Sequence, residues 1–155
     1  GGQRFWPPDR PDSAEARLFL GLYRLMIAAC LAASVFACVT EPAPVWRQLV
    51  GLALAAIGFG AGAAIITGMG WRGSVGAAEG LRIEGAFAIS RNPTYLAHWL
   101  GLAGWALAVS SWAVAAALAF WAMSYALMAW LEEPWLETRY GDAYRAYRAR
   151  VPRFL

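Results

Sequence analysis

The sequence predicts an all-α integral membrane protein, with about four transmembrane helices and a cytoplasmic amphipathic C-terminal helix in a single membrane domain, residues 1–155. Three observations predict it. Of the 155 residues, 60% are apolar and only 15% are charged, and the mean hydropathy is +0.45, outside the range of ordinary soluble domains. The apolar residues are gathered into runs near the roughly 20 residues a helix needs to span the hydrocarbon core. Most arginines fall between those runs, where water or headgroups solvate them.

Residues 1–69 hold the N-terminal region and the first two helices. Gly1 to Arg17 is polar and proline-bearing and shows no signal-peptide pattern. The first span runs from about Leu18 to Val39, interrupted only by Arg24, and Pro42 and Pro44 break it. That intramembrane arginine is a functional candidate by default, but its place near the helix start suits snorkelling to the headgroups. Trp46 starts the second span, which reaches about Met69 and is rich in Gly, Ala and Ile. Gly58 and Gly62 lie four apart in it, a spacing that lets another helix approach closely. The run Gly58-Phe59-Gly60-Ala61-Gly62 looks superficially like a dinucleotide fingerprint, but it lies inside an apolar helix rather than between a strand and a helix.

Residues 70–155 hold the remaining helices and the tail. Gly70, Gly73 and Gly76 signal a loop, and Arg72, Glu79, Arg82, Glu84 and Arg91 keep that stretch in water or among headgroups. From Tyr95 to Leu131 the chain is apolar again, long enough to cross and return, with Ser110-Ser111 at the turn and a short third helix before it. Glu132-Glu133-Pro134 is expected to close the fourth helix. Beyond it Leu136, Tyr140, Tyr144 and Tyr147 recur at helical spacing with arginines around them, the pattern of a helix lying on the membrane. Trp6, Trp46, Trp71, Trp112 and Trp135 fall near segment ends, as interfacial anchors do.

With four crossings the N-terminus, the 70–92 loop and the tail share one face, which carries nearly every arginine and leaves Arg47 on the other. The excess of positive charge on the cytoplasmic side then places both termini and the polar clusters in the cytoplasm. Abundant Ala, Arg, Gly and Trp without lysine fits a GC-rich bacterial genome, and hence a bacterial inner membrane. The net charge of +3 thus speaks for topology, not for nucleic acid.

Absence of lysine excludes Schiff-base and P-loop chemistry, and the lone His98 argues against a histidine-rich metal site. Cys30 and Cys38, in one helix, would lie about 12 Å apart along its axis, too far for a disulfide, so both read as small hydrophobes.

Two polar clusters bracket the Tyr95–Leu131 hairpin and therefore emerge on one face. In the first, Pro93 forces Asn92 out of helical geometry and suits the first helical turn, where free N–H groups beside Arg91 can bind an anionic group. In the second, Glu132 and Glu133 at a helix end oppose the helix dipole, so a ligand is one reason to keep them. They point about 100° apart, so one faces the ligand and the other pairs with an arginine.

Taken in order, Gly85-Ala86-Phe87-Ala88-Ile89-Ser90, then Arg91, Asn92, Pro93 and Tyr95, then Glu132-Glu133, then Tyr140-Gly141, Tyr144 and Tyr147 resemble the isoprenylcysteine carboxyl methyltransferase and phospholipid methyltransferase superfamily of small membrane enzymes. The resemblance covers Gly80 to Leu155. It implies S-adenosylmethionine as cofactor, surrounded by Arg91, Asn92, Pro93, Tyr95, Glu132, Glu133, Tyr140, Tyr144 and Tyr147. Asn92 stands where histidine is more usual, which removes an imidazole base, and Ala97 stands where glycine commonly follows the tyrosine. The acceptor is expected to be a lipid or prenylated molecule entering from the bilayer. A carboxylate of the isoprenylcysteine type needs no base, and Arg91, Arg148 or Arg150 would hold it bidentately. A phospholipid amine would have to lose a proton to a glutamate or tyrosine. The rival readings are an NADPH-dependent enzyme of the sterol-reductase type, which would call for more basic residues, and a non-enzymatic membrane scaffold.

Overall fold

The computed structural model describes residues 14–69 and 80–155; the expectations for Gly1 to Ser13, Trp71, Arg72 and Glu79 lie outside them. Among the described residues there are four α-helices and no strand: α1 Ala14–Thr40, α2 Val45–Met69, α3 Pro93–Ala108 and α4 Trp112–Arg150, with a 3-10 turn at Gly85–Ala88 before α3. Three are long and apolar enough to cross a membrane, over Leu20–Thr40, Val45–Gly68 and within α4. At 16 residues, α3 is about 24 Å long, shorter than the hydrocarbon core, as expected of the third helix.

Missing side chains bring α2 and α3 together. A Cβ at Gly51 would lie 2.5 Å from the backbone nitrogen of Ala108, one at Gly58 would overlap the backbone of Gly101, and one at Gly104 that of Ala55. Partner numbers fall along α3 as they rise along α2, so the two helices run antiparallel with their backbones in contact. The expected close approach at Gly58 is therefore met. Val109, Ser110 and Ser111 make the turn into α4, and the Ser111 hydroxyl accepts from the Val114 N–H at 3.4 Å as an N-cap.

Helix α4 buries Val114, Leu118, Trp121, Tyr125, Ala129 and Glu133, a single stripe at steps of three and four. Against it pack Leu102 of α3 and Cys30 of α1. Trp99 Nε1 donates to the Ala122 carbonyl at 2.8 Å, Trp105 Nε1 to Ser34 Oγ at 2.9 Å, and the hydroxyls of Tyr23 and Tyr125 meet at 2.9 Å. Apolar side chains such as Leu25, Phe36, Leu49, Phe120 and Leu127 stay exposed, which is what lipid contact requires. Cys30 is buried and Cys38 exposed, both free. Arg24 is exposed on α1.

One expectation is overturned: Pro134 lies inside α4, and the acidic pair does not end a helix. Proline removes a single backbone bond, and Trp130, whose carbonyl would have received it, is exposed and can be solvated. The chain turns instead at Gly141, where φ 53° and ψ −126° suit a residue without Cβ. Beyond this bend the last helical turns fold back, and Tyr144, Tyr147 and Val151 form a second buried cluster with Leu81, Leu136 and Tyr140. Arg82 donates to the Gly68 carbonyl at 3.0 Å, an orphan acceptor at the end of α2.

Candidate active site

The backbone ahead of α3 is fixed by the chain after α4. The Arg91 N–H donates to the Pro152 carbonyl at 2.9 Å, and the Arg153 carbonyl accepts from Asn92 Nδ2 at 2.9 Å and from Ser90 Oγ at 3.3 Å. Ser90 is buried, and its Oγ also accepts from the Asn92 N–H at 3.1 Å. Asn92 holds the N-cap position, but its side chain makes no cap bond; its Nδ2 donates to the Arg153 carbonyl instead. Pro93 follows, buried in the first turn of α3.

Glu133 lies at the centre, its side chain 9% exposed. Its oxygens accept from Arg153 through Nε and Nη2, both at 2.7 Å, and Arg91 Nη1 is 2.8 Å from Oε1. This fork-on-fork geometry is the strongest form of charge-assisted pairing. Burial alone would raise the carboxyl's pKa, but the Arg153 hydrogen bond and the charges of Arg91 and Arg153 outweigh it and hold it below the ordinary range. Arg153 also lies over Trp130, 4.8 Å from the ring centroid. Arg91 Nη1 donates to the Tyr144 hydroxyl at 3.2 Å, while its Nε is buried with no hydrogen-bond partner, as is the Tyr140 hydroxyl. Burial raises the Tyr144 phenol's pKa despite Arg91. Burial likewise pushes Tyr147 up to about 12, and its hydroxyl donates to the Phe87 carbonyl at 2.7 Å.

Glu132 turns to the other side, where the Tyr95 hydroxyl approaches its Oε2 at 3.5 Å; the Tyr95 ring stacks on Tyr125 at 5.1 Å. Glu133 is held by two arginines, Arg91 and Arg153. Arg91, Asn92, Pro93, Tyr95, Glu132, Glu133, Tyr140, Tyr144 and Tyr147 are gathered where the two helical hairpin ends meet the tail. Arg148 and Arg150 lie on the exposed outer face of the last helical turns. Arg148 pairs there with Glu137 at 3.2 Å, its charge still reaching Glu133, and Arg150 Nε donates to the Ala146 carbonyl. Surface clefts of about 300 and 280 Å³ flank those turns, lined by Glu137, Arg145 and Arg148 and by Glu84, Tyr147 and Arg150, and neither includes Arg91 or Glu133.

Arg153 escaped the sequence reading. Its one local signal is the proline beside it, Pro152, which marks a turn but does not say where the cation lands.

The family model for phospholipid methyltransferases matches residues 46–143, more than half of the chain. The chain belongs to the phospholipid methyltransferase family. The matched stretch runs from the start of α2 to just past the Gly141 bend and includes both polar clusters, whereas α1, Tyr144, Tyr147 and Arg153 lie outside it. No curated protein and no solved structure matches the chain. As a member of this membrane methyltransferase family with three apolar helices long enough to span, it is an integral membrane protein.

Proposed function

We propose that the chain transfers a methyl group from S-adenosylmethionine to a lipid-like acceptor at the membrane surface. The observation that carries this reading is the convergence of both family motifs on one cluster that keeps two buried polar atoms, Arg91 Nε and Tyr140 Oη, unpaired. Buried polar groups are ordinarily satisfied, so these two are suited to a ligand. The donor set fits the cofactor: Arg91 suits its carboxylate, and the Glu132 carboxylate suits its ammonium or ribose hydroxyls. When bound, the cofactor supplies an electrophilic methyl group on a sulfonium.

The chain's own residues hold and orient. Glu133, saturated by two guanidiniums, fixes the Arg91 fork instead of contacting ligand. Tyr95 and Glu132 form the opposite wall, and Tyr144, Tyr147 and Val151 cover the cluster and exclude water. Catalysis is then chiefly the alignment of two reactants, which alone is worth several kcal/mol, on the order of 7. The acceptor's apolar part stays in the bilayer, with its reacting headgroup either a carboxylate of the isoprenylcysteine type or a phospholipid amine. The arginine distribution supports a cytoplasmic placement of the site and of both ends of the chain, in a bacterial inner membrane.

Calorimetric titration of the detergent-purified protein with S-adenosylmethionine, S-adenosylhomocysteine and NADPH tests the reading. Saturable binding of the first two, lost in Arg91→Ala and weakened at least about tenfold in Glu132→Gln, is expected. Binding of NADPH alone would move the chain to reductase chemistry, and binding of none of the three would make it a scaffold.

A further inference from the structure

The single histidine of the chain takes no part in the cluster described above. His98 lies on α3 one turn beyond Tyr95, with its ring centroid 5.4 Å from Tyr125 of α4 and 5.9 Å from Phe59 of α2. Its Nδ1 is 2.7 Å from the Thr94 carbonyl. A carbonyl oxygen only accepts, so the neutral ring carries its hydrogen on Nδ1 and keeps a lone pair on Nε2. Among the described residues no group hydrogen-bonds Nε2.

The ring occupies space that α2 leaves for it. A methyl group at Gly62 would come within 2.8 Å of the imidazole Cε1 and 2.9 Å of Nδ1. Gly51 and Gly58 admit the backbone of α3, whereas Gly62 admits this side chain. Five residues past Pro93, His98 is about 8 Å down the helix, the depth at which lipid headgroups meet acyl chains. An ionisable group so placed in a membrane bundle is a candidate for function. The titratable groups facing it are Tyr125 from α4, with Tyr23 of α1 hydrogen-bonded behind it, and Tyr95 on its own helix; α2 contributes Phe59 and Gly62.

We propose that His98 is the base that takes the proton an amine headgroup must lose before methylation, which makes the acceptor a lipid ammonium rather than a carboxylate. The inference rests on the methyltransferase reading above. In this step an N–H bond of the headgroup ammonium breaks, its electron pair stays on nitrogen as the nucleophilic lone pair, and the proton bonds Nε2 to give imidazolium. The Thr94 carbonyl holds the ring in place throughout, and the proton passes to water after the product leaves. A carboxylate acceptor has no proton to give, so an unprotonated imidazole beside it would serve nothing. The base that Asn92 does not supply is thereby found six residues further along the chain.

With its purification tag removed, the protein holds one imidazole, so nitrogen-15 NMR of histidine-labelled material reads its tautomer directly. The Nδ1–H form is expected, with a resonance that moves when bicelles of phosphatidylethanolamine replace bicelles of phosphatidylcholine. His98→Gln should lower methylation of phosphatidylethanolamine at least about 100-fold and leave S-adenosylhomocysteine affinity within about threefold, the signature of lost proton transfer. An Nε2–H tautomer, amine methylation retained within about threefold in the variant, or transfer by the unaltered protein to a prenylcysteine carboxylate alone would each overturn the proposal. If His98→Gln does not fold, the tautomer and the lipid-dependent shift in the unaltered protein decide. Failure of the unaltered protein to bind S-adenosylhomocysteine defeats the methyltransferase reading itself, and this proposal with it.

Discussion

Glu133 carries two guanidiniums on one carboxylate, and its titration ties acidity to stability. In the unfolded chain the carboxyl titrates near the ordinary value of 4.5, and in the folded protein below it. The unfolded state therefore binds the proton first as pH falls. Its contribution is fully present above 4.5 and is lost as pH drops through the lowered folded value. Glu133→Gln should cost about 3 kcal/mol, the lower end for one partner removed from a buried pair, since Arg153 is 31% exposed. It should also flatten the acid limb of stability, measured as the thermal midpoint in detergent from about pH 6 to pH 3. At this scale part of the site was legible: helical spacing turns Glu132 and Glu133 apart and sets one of them against an arginine, but which one was left open in the sequence and follows only from the buried stripe Trp121, Tyr125, Ala129 and Glu133 of α4. The partner was not legible, because Arg153 reaches Glu133 through a fold-back 20 residues later that no local pattern encodes.

Among elements, the α2–α3 contact is the most sharply specified, and a pair of neighbouring glycines tests it. Gly58→Ala would drive a methyl group into the Gly101 backbone, whereas at Gly60 nothing lies within 4 Å. Overpacking of this kind costs about 1–3 kcal/mol, so Gly58→Ala should lower the thermal midpoint in detergent while Gly60→Ala leaves it unchanged or raised. The spans, the Ser110-Ser111 turn and the shortness of α3 were readable from apolar run length and breakers. The end of α4 was misread because proline is a weaker stop than its propensity suggests where its orphan acceptor is solvated. The glycine that does turn the chain, Gly141, looked like ordinary motif punctuation in the sequence. Only its positive φ, a property of the folded chain, separates it from the other glycines of the four α-helices.

Over the whole molecule, the hydrogen bonds from Arg91, Asn92 and Ser90 to Pro152 and Arg153 put the approach to α3 and the tail on one side. With Cys30 and Cys38 replaced, Ile83→Cys and Leu155→Cys should share one accessibility to a membrane-impermeant maleimide and Glu41→Cys the opposite. The arginine bias predicts that in intact bacterial cells Glu41→Cys is the one labelled. Labelling of all three from the same side would overturn the topology. The Gly141 bend carries a further consequence, for cooperativity. It separates two buried clusters that differ in solvent: one among helices whose outer faces suit lipid, the other of tyrosines and Val151 beyond the bend. Urea acts on surface that unfolding exposes to water, so the small cluster should melt first, as a cooperative unit of its own. Ligand binding and tyrosine fluorescence should then be lost at a lower urea concentration than far-ultraviolet helicity, and the protein should lose its site while keeping its spans.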